Sequence, residues 1–280
     1  GGERTDFVTI YDPSSLSVTD EIEIPPKRVT SMPKRSQAAL LGKDERFIGV
    51  YNFTPAQSVS IVDLEKRVFV EEIATEGCGF VIPNGKLSFT SICANGSFLT
   101  TDLDKSGAFK SSERTDIIFD SIEDPIFEAP AIKNGTAYFL TYSGKVMPID
   151  ISKNRISVGQ NWPLETNDEE ISWRPGGITN MTSDSEGYIY VLMHPEGGEG
   201  THKNPGNEVW VYDLENKQRK SRIAIKNWGL VVGTSGSGQN KFLLVTNTDM
   251  AIDVYGLPGG EYIRSLTSAG STPFVIDGLH

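Results

Sequence analysis

Apolar and polar positions along this chain alternate over short stretches, and the stretches come in pairs. Val209 and Val211 interleave with Trp210 and Tyr212, and Val8 and Ile10 interleave with Thr9 and Tyr11, the period-two pattern of a β-strand with an inward and an outward set of side chains. No segment longer than two turns carries apolar residues at i, i+3, i+4 and i+7 between proper caps. Runs rich in Val, Ile, Phe, Tyr and Thr are instead broken by Gly, Asn, Asp, Ser and Pro, which predicts an all-β chain.

One unit repeats: a short strand, an Asp near its end, a polar turn, and a second strand. Its copies begin at Asp6, Gln57, Gly96, Gly144, Asn207 and Met250, with markers Asp12, Asp63, Asp102, Asp150, Asp213 and, in a degenerate last copy, Gly256. The carboxylate of each Asp is expected to accept backbone N–H groups of the following turn and so close a hairpin. Further strand-like segments lie between the hairpins: Phe47–Tyr51, Leu87–Ile92, Ala137–Leu140 and Tyr188–Met193. Four strands per repeat of about 40 to 50 residues is the pattern of a β-propeller blade, with the hairpin as its outer pair. Blades bury their faces against neighbours, so residues 1–280 read as a single propeller domain. The first hairpin starts too early to have inner strands ahead of it, and Ser271–Asp277 reads as one more strand. The expectation is a seven-bladed β-propeller lacking its N-terminal part, with five full blades plus partial ones; a six-bladed ring closed by the C-terminal strand is the alternative.

With 28 Gly and 15 Pro among 280 residues, the composition suits a protein made of turns. A net charge of −11 disfavours phosphate backbones and anionic membrane surfaces as partners, since both need clustered Lys and Arg. No apolar run approaches the ~18 residues of a spanning helix. Cys78 and Cys93 each end an apolar segment, and read either as two reduced core thiols or as one cross-strand disulfide.

Candidate chemistry is sparse. His194 and His202 flank the glycine-rich run HPEGGEGTHK, and His280 ends the chain. The spacing fits no usual metal-ligand pattern, and Glu196 and Glu199 would repel a phosphate. Gly233–Gly238 resembles a nucleophile elbow only in letters and reads as a turn. Carboxylates cluster at Asp120–Asp124 and Asn167–Glu170, where solvated loops are expected. Asn-x-Ser/Thr triplets begin at Asn52, Asn95, Asn134 and Asn180; Asn95-Gly96 and Asn134-Gly135 are explained as hairpin turns. The run Trp173-Arg174-Pro175-Gly176-Gly177 can set an indole and a guanidinium side by side, a pairing enriched where proteins dock, or can pack its Trp in a seam between sheets.

A likeness then emerges from longer stretches. YVLMHPEGGEGTHKNPGNEVWVYDL (Tyr190–Leu214), preceded by WRPGG (Trp173–Gly177), resembles the heavy, β-propeller subunit of the quinoprotein amine dehydrogenases, the methylamine and aromatic amine dehydrogenases. GERTDFVTIYDP (Gly2–Pro13) with EIEIP (Glu21–Pro25) is similar to that family's opening hairpin, and EGCGFVIP with FTSICANGS to its paired-cysteine hairpin. The resemblance implies seven blades, a Cys78–Cys93 disulfide, a periplasmic address and a heterotetramer of two heavy and two small, disulfide-rich light subunits. It implies that the cofactor, tryptophan tryptophylquinone, and the catalytic base belong to the light subunit, and that electrons leave to a blue-copper protein. This chain would then hold no catalytic, cofactor-binding or metal-ligating residue, and none of Trp162, Trp173, Trp210 and Trp228 would be a cofactor precursor. On this resemblance, the family's first blade and the amine-channel residues on it are expected to lie outside these 280 residues. Trp173, Arg174, His202 and Lys203 are expected at the light-subunit face. A stand-alone binding propeller of the YVTN-like kind is the alternative, and a hydrolase using the central funnel is a weaker one.

Overall fold

The computed structural model describes residues 2–26, 34–152, 156–165 and 171–277. Its regular structure is antiparallel β-sheet, interrupted by three-residue 3-10 turns. The cluster at 167–170 and His280 lie outside the described residues.

The chain divides into two compact units, one of Gly1–Ser31, Ser36–Ser121 and Ile151–Ile156, the other of Met32–Arg35, Ile122–Asp150 and Ser157–His280. In the first, β1 (Asp6–Tyr11) and β2 (Val18–Ile24) form a two-stranded hairpin. A four-stranded sheet follows: β3 (Ala38–Leu41), β4 (Phe47–Asn52), β5 (Ser58–Asp63) and β6 (Val68–Ala74). A second contains β7 (Cys78–Pro83), β8 (Ser88–Cys93), β9 (Phe98–Leu103) and β10 (Phe109–Arg114). Ile22 and Ile24 of the hairpin pack on Val62, Ile48 and Val50, while Leu41, Val59 and Ile61 pack on Val81, Phe89 and Leu103. Cys78 and Cys93 stand opposite each other on β7 and β8, joined by a disulfide, and Arg114 Nη1 lies 2.9 and 2.8 Å from the two sulfurs.

In the second unit, β11 (Ala131–Lys133), β12 (Thr136–Leu140), β13 (Lys145–Asp150), β14 (Ser157–Val158) and β15 (Trp162–Pro163) form one sheet. The last sheet joins β16 (Arg174–Pro175), β17 (Met181–Ser183), β18 (Tyr188–His194), β19 (Gly206–Asp213), β20 (Gln218–Ser235), β21 (Phe242–Asn247), β22 (Ile252–Gly256) and β23 (Tyr262–Leu266). It is two four-stranded repeats run together. The first half of β20 pairs with β19, and its second half pairs with β21.

All six hairpins expected from the repeat form. Three are closed as anticipated: Asp12, Asp63 and Asp213 each take two backbone N–H groups on one carboxylate oxygen. These bonds hold the Asp213 carboxyl down at about 2, with the Asn216 side chain the largest contributor. The third hairpin corrects the reading. Asp104, not Asp102, accepts the Ser106 and Ala108 N–H groups, and Asp102 instead accepts the Ser111 hydroxyl. The strand runs one residue beyond Asp102, so the residue that reaches the turn is the second Asp.

Two further expectations change. The alternation predicts Val209 and Val211 on one face of a strand and Trp210 and Tyr212 on the opposite one. Both faces are buried: the valines join Tyr190, Leu192, Ile223 and Val245, while Trp210 and Tyr212 join Leu140, Val146, Trp162 and Val191. A sheet covered on both sides has no solvent face, so parity selects which core a residue enters. Ser271–Asp277 is not a strand. Pro273 lacks an N–H for a ladder. The segment is held instead by Thr246 Oγ1 donating to the Pro273 carbonyl and by Ile276, which packs where a Cβ on Gly233 would stand. Gly233–Gly238, read as a turn, supplies the end of β20 up to Ser235 before the turn begins.

Candidate functional site

The two sequence runs singled out for unusual chemistry, 172–177 and 194–205, meet in space. Arg174 pairs with His194 and Pro175 with Met193 where β16 lies along the end of β18. Beyond the strands, the Gly197 N–H donates to the Ser172 carbonyl at 2.6 Å, and Ser172 Oγ donates to the Gly197 carbonyl at 2.8 Å. The Gly177 N–H donates to the His202 carbonyl at 3.2 Å. Glycines permit these approaches. A Cβ on Gly176 would lie 2.5 Å from the Asn204 carbonyl oxygen, and one on Gly197 2.6 Å from that of Ser172. Gly177, at φ +106°, would bring a Cβ within 2.7 Å of the Leu230 carbonyl oxygen. Thr201 clasps Gly198 from both sides, accepting its N–H and donating to its carbonyl, and a 3-10 turn at Thr201–Lys203 then presents His202 and Lys203. Gly177→Ala is therefore expected to lower stability by about 1–3 kcal/mol, read as a shift of the urea midpoint at unchanged slope.

The four residues expected at a docking face occupy different depths. Trp173 is buried in the seam, its ring 5.2 Å from that of Trp210, with the Arg222 guanidinium 4.8 Å above it. It carries the platform from beneath. Arg174 is half-buried, its stem against Gly197. His202 is half-buried, and its imidazole stacks on Tyr142 at 4.1 Å and 17°, with Phe127 next to Tyr142 at 4.7 Å. Lys203 is exposed. Burial, the Lys203 charge and Lys34 push the His202 pKa down against the pull of Glu128, so the imidazole is neutral at pH 7. Tyr142, buried and near Glu128, is pushed up to about 12. The surface around the turn is thus a Phe127–Tyr142–His202 aromatic stack beside Lys203 and the 2.5 Å Lys34–Glu128 ion pair.

His194 lies deeper, 1% exposed, with Nε2 unpaired. Burial holds its pKa below the usual histidine value, with Glu196 opposing and Arg174 assisting. Among the described residues, no group of three or more His, Cys, Asp and Glu converges as a metal site. In the Asp120–Asp124 cluster, Asp124 accepts the Ser143 N–H and hydroxyl and Lys145 Nζ, which fixes a turn. Asn52 and Asn180, which begin two of the Asn-x-Ser/Thr triplets, are each 1% exposed. Sequence reading missed Phe127 and Tyr142. Nothing local marks them, because their partner His202 lies far along the chain.

The sequence model describing the methylamine dehydrogenase heavy chain matches residues 1–279. The chain belongs to the methylamine dehydrogenase heavy chain family. It is 25% identical over 278 residues to the methylamine dehydrogenase heavy chain of Methylorubrum extorquens, covering 98% of this chain and 67% of the relative. It is 29% identical over 227 residues to that of Methylobacillus flagellatus, covering 79% of this chain and 56% of the relative. To the heavy chain of Methylophilus methylotrophus it is 23% identical over 279 residues, covering 98% and 68%. The chain therefore spans between roughly half and two thirds of the length of these relatives. The match runs through both stitched loops.

Proposed function

We propose that this chain is the scaffold subunit of a periplasmic amine dehydrogenase, and that a small light subunit docks on the 172–177 and 194–205 platform. The observation that carries the reading is heavy-chain family membership across 279 residues, together with the glycine-stitched turn that carries the half-buried His202 and the exposed Lys203. The complex would be a heterotetramer of two heavy and two light subunits. It would oxidise a primary amine, with water, to aldehyde and ammonia and pass the two electrons released one at a time to blue-copper protein. The tryptophan tryptophylquinone would be made from the light subunit's own residues, and it supplies the carbonyl that takes the amine. Trp162, Trp173 and Trp210 of this chain do not fit that group. Trp173 and Trp210 are neighbours, but both are sealed in the core, and Trp210 Nε1 is committed to Glu208 at 2.6 Å. Trp162 is equally buried, against Tyr212.

The full-length protein would be one seven-bladed ring, with the hairpin and the four-stranded repeats described above as its blades. The repeat of Asx-closed hairpins and the face-to-face packing of successive sheets within each unit support this reading. The Cys78–Cys93 disulfide supports an oxidising compartment.

Co-expression of the full-length heavy chain with its light subunit is expected to give stable co-elution and a quinone absorption band in the complex, with no amine oxidation by the heavy chain alone. Lys203→Glu is expected to weaken association about tenfold while leaving the thermal midpoint of the heavy chain unchanged; His202→Ala, which also removes the stack on Tyr142, is expected to weaken association and lower the midpoint slightly. Amine oxidation by the isolated heavy chain, or failure to retain a light subunit, would overturn the assignment.

A further inference from the structure

One cavity of the second unit lies away from the platform. It encloses about 300 Å³, a volume at the small end of ligand sites. Its polar side is the turn before β18, residues 182–185, whereas the platform takes the far end of that strand at His194. Two cations line it, Arg35 and Lys133. Arg35 Nη1 donates to the Met181 carbonyl at 3.5 Å, and Nη2 donates to the Val232 and Ile276 carbonyls at 3.3 and 3.0 Å. Its Nε is buried with no hydrogen-bond partner. Lys133 Nζ donates to the Ser185 carbonyl. Each of these bonds ends on a neutral oxygen. Burial pushes the Arg35 pKa down, with the Asp277 charge opposing, yet a guanidinium in a protein stays protonated. A cation so placed has given up water without gaining a bonded counter-charge, and an anion beside it would recover part of that cost.

The carboxylates in the wall do not supply one. The Asp184 side chain is 0% exposed, and Lys241 Nζ matches its charge at 2.6 Å. Asp277 is exposed and acts on Arg35 through space rather than through a hydrogen bond. In a chain of net charge −11, the recess is a local reversal of sign, and a low-dielectric wall focuses such a field. Asp277 also makes one negative charge a better fit than two. The rest of the wall is apolar: Pro130 and Ala131 are buried, and Ile276 is 7% exposed. We propose that this cavity binds a short-chain monocarboxylate, its head toward Arg35 and Lys133 and its alkyl part against Pro130 and Ile276. The site uses no residue of the docking platform, so it stands or falls independently of the light subunit.

The test titrates the full-length heavy chain, without light subunit, with sodium propionate at about pH 7.5, where the acid is ionised. Calorimetry and ligand-observed NMR follow binding, with sodium chloride, sodium phosphate and neutral propionamide compared at constant ionic strength. Saturable propionate binding is expected with a dissociation constant on the order of 1 mM. Phosphate and chloride should bind at least about tenfold more weakly, and propionamide not at all. Lys133→Gln, whose amide can keep the bond to Ser185, is expected to weaken propionate about fivefold at an unchanged thermal midpoint. Arg35→Gln should abolish binding but also frees the Ile276 carbonyl, so Lys133→Gln is the variant that decides. Absence of saturation up to about 100 mM, propionamide or phosphate binding as tightly as propionate, or unchanged affinity in Lys133→Gln would overturn the proposal. If propionate binds while the light subunit fails to associate, the cavity assignment stands and the docking assignment falls.

Discussion

Lys241→Met is expected to lower the unfolding free energy by about 3–5 kcal/mol, the cost of stripping a buried carboxylate of its counter-ion. Lys241 and Asp184 are buried, with side chains 4% and 0% exposed and Nζ 2.6 Å from the carboxylate. Asp184 also accepts the Glu186 and Tyr188 N–H groups and the Tyr190 hydroxyl, so it is the closure of the β17–β18 turn as well as half of an ion pair. Burial alone would raise its pKa, but the bonds from Lys241, the Tyr188 N–H and Tyr190 win and hold it below the usual carboxylate range. For Lys241, burial lowers the pKa, and the bonds to Asp184 and Glu186 reverse that to a net rise. The signs fix the pH window. The Asp184 contribution is present above its unfolded value near 4 and is lost as pH falls through the depressed folded value. The Lys241 contribution is present below its unfolded value near 10.4 and is lost as pH rises through the elevated folded one. Urea denaturation should therefore show the full deficit at pH 7 and a smaller one at pH 4, where the uncompensated Asp184 of the variant takes up a proton. Adding Asp184→Asn should recover part of the loss, because its Oδ1 still takes the two backbone N–H groups. A Lys241→Met variant as stable as the parent at pH 7 would show that the pair contributes no net stabilisation.

Trp210→Ala should cost a comparable ~3–5 kcal/mol by loss of burial plus an unfilled cavity. Trp210 is fully buried at the centre of a core built from Leu140, Val146, Trp162, Trp173, Val191 and Tyr212. Two guanidiniums lie over its ring, Arg219 at 4.5 Å and Arg222 at 4.9 Å, and its indole N–H reaches Glu208, which also pairs with Arg222. Trp210→Phe keeps a ring in the seam but leaves Glu208 without its indole donor, so it should fall between parent and alanine variant. The check is the urea midpoint of all three proteins; equal midpoints for phenylalanine and alanine would mean that the hydrogen bond, not the packing, sets the cost.

The hairpin repeat was legible because three of its copies carry their own closure, an Asp whose partners are two and three residues on, at Asp12, Asp63 and Asp213. Such information is local, and so survives in a one-dimensional reading. Where closure shifted to Asp104, two Asp residues were close enough for either to serve, and strand length decided. The partition of Val209 and Val211 from Trp210 and Tyr212 into two cores was not legible as such, because both parities are apolar and the pattern does not say what covers either face. The platform was half legible. The glycines and the Trp-Arg-Pro run announced irregular backbone, but only the fold brings Gly177 to His202 and stacks His202 on Tyr142. The depth of Trp173 depends on Trp210 and Arg222, neither of which is near it in sequence.

β20 is an eighteen-residue ribbon, Gln218–Ser235, whose first half completes one group of four strands and whose second half begins the next. Between the two lie a displaced register at Gly206–Glu208 and the stretch from Ile225 to Trp228, where Asn227 is anchored to Asp253 at 3.0 Å. Between β6 and β7 the chain leaves one sheet through a short turn before entering the next, and a turn can lengthen without dragging a neighbour with it. Here one unbroken strand serves both groups, so a one-residue slip within either paired half would turn its side chains from one core to the other.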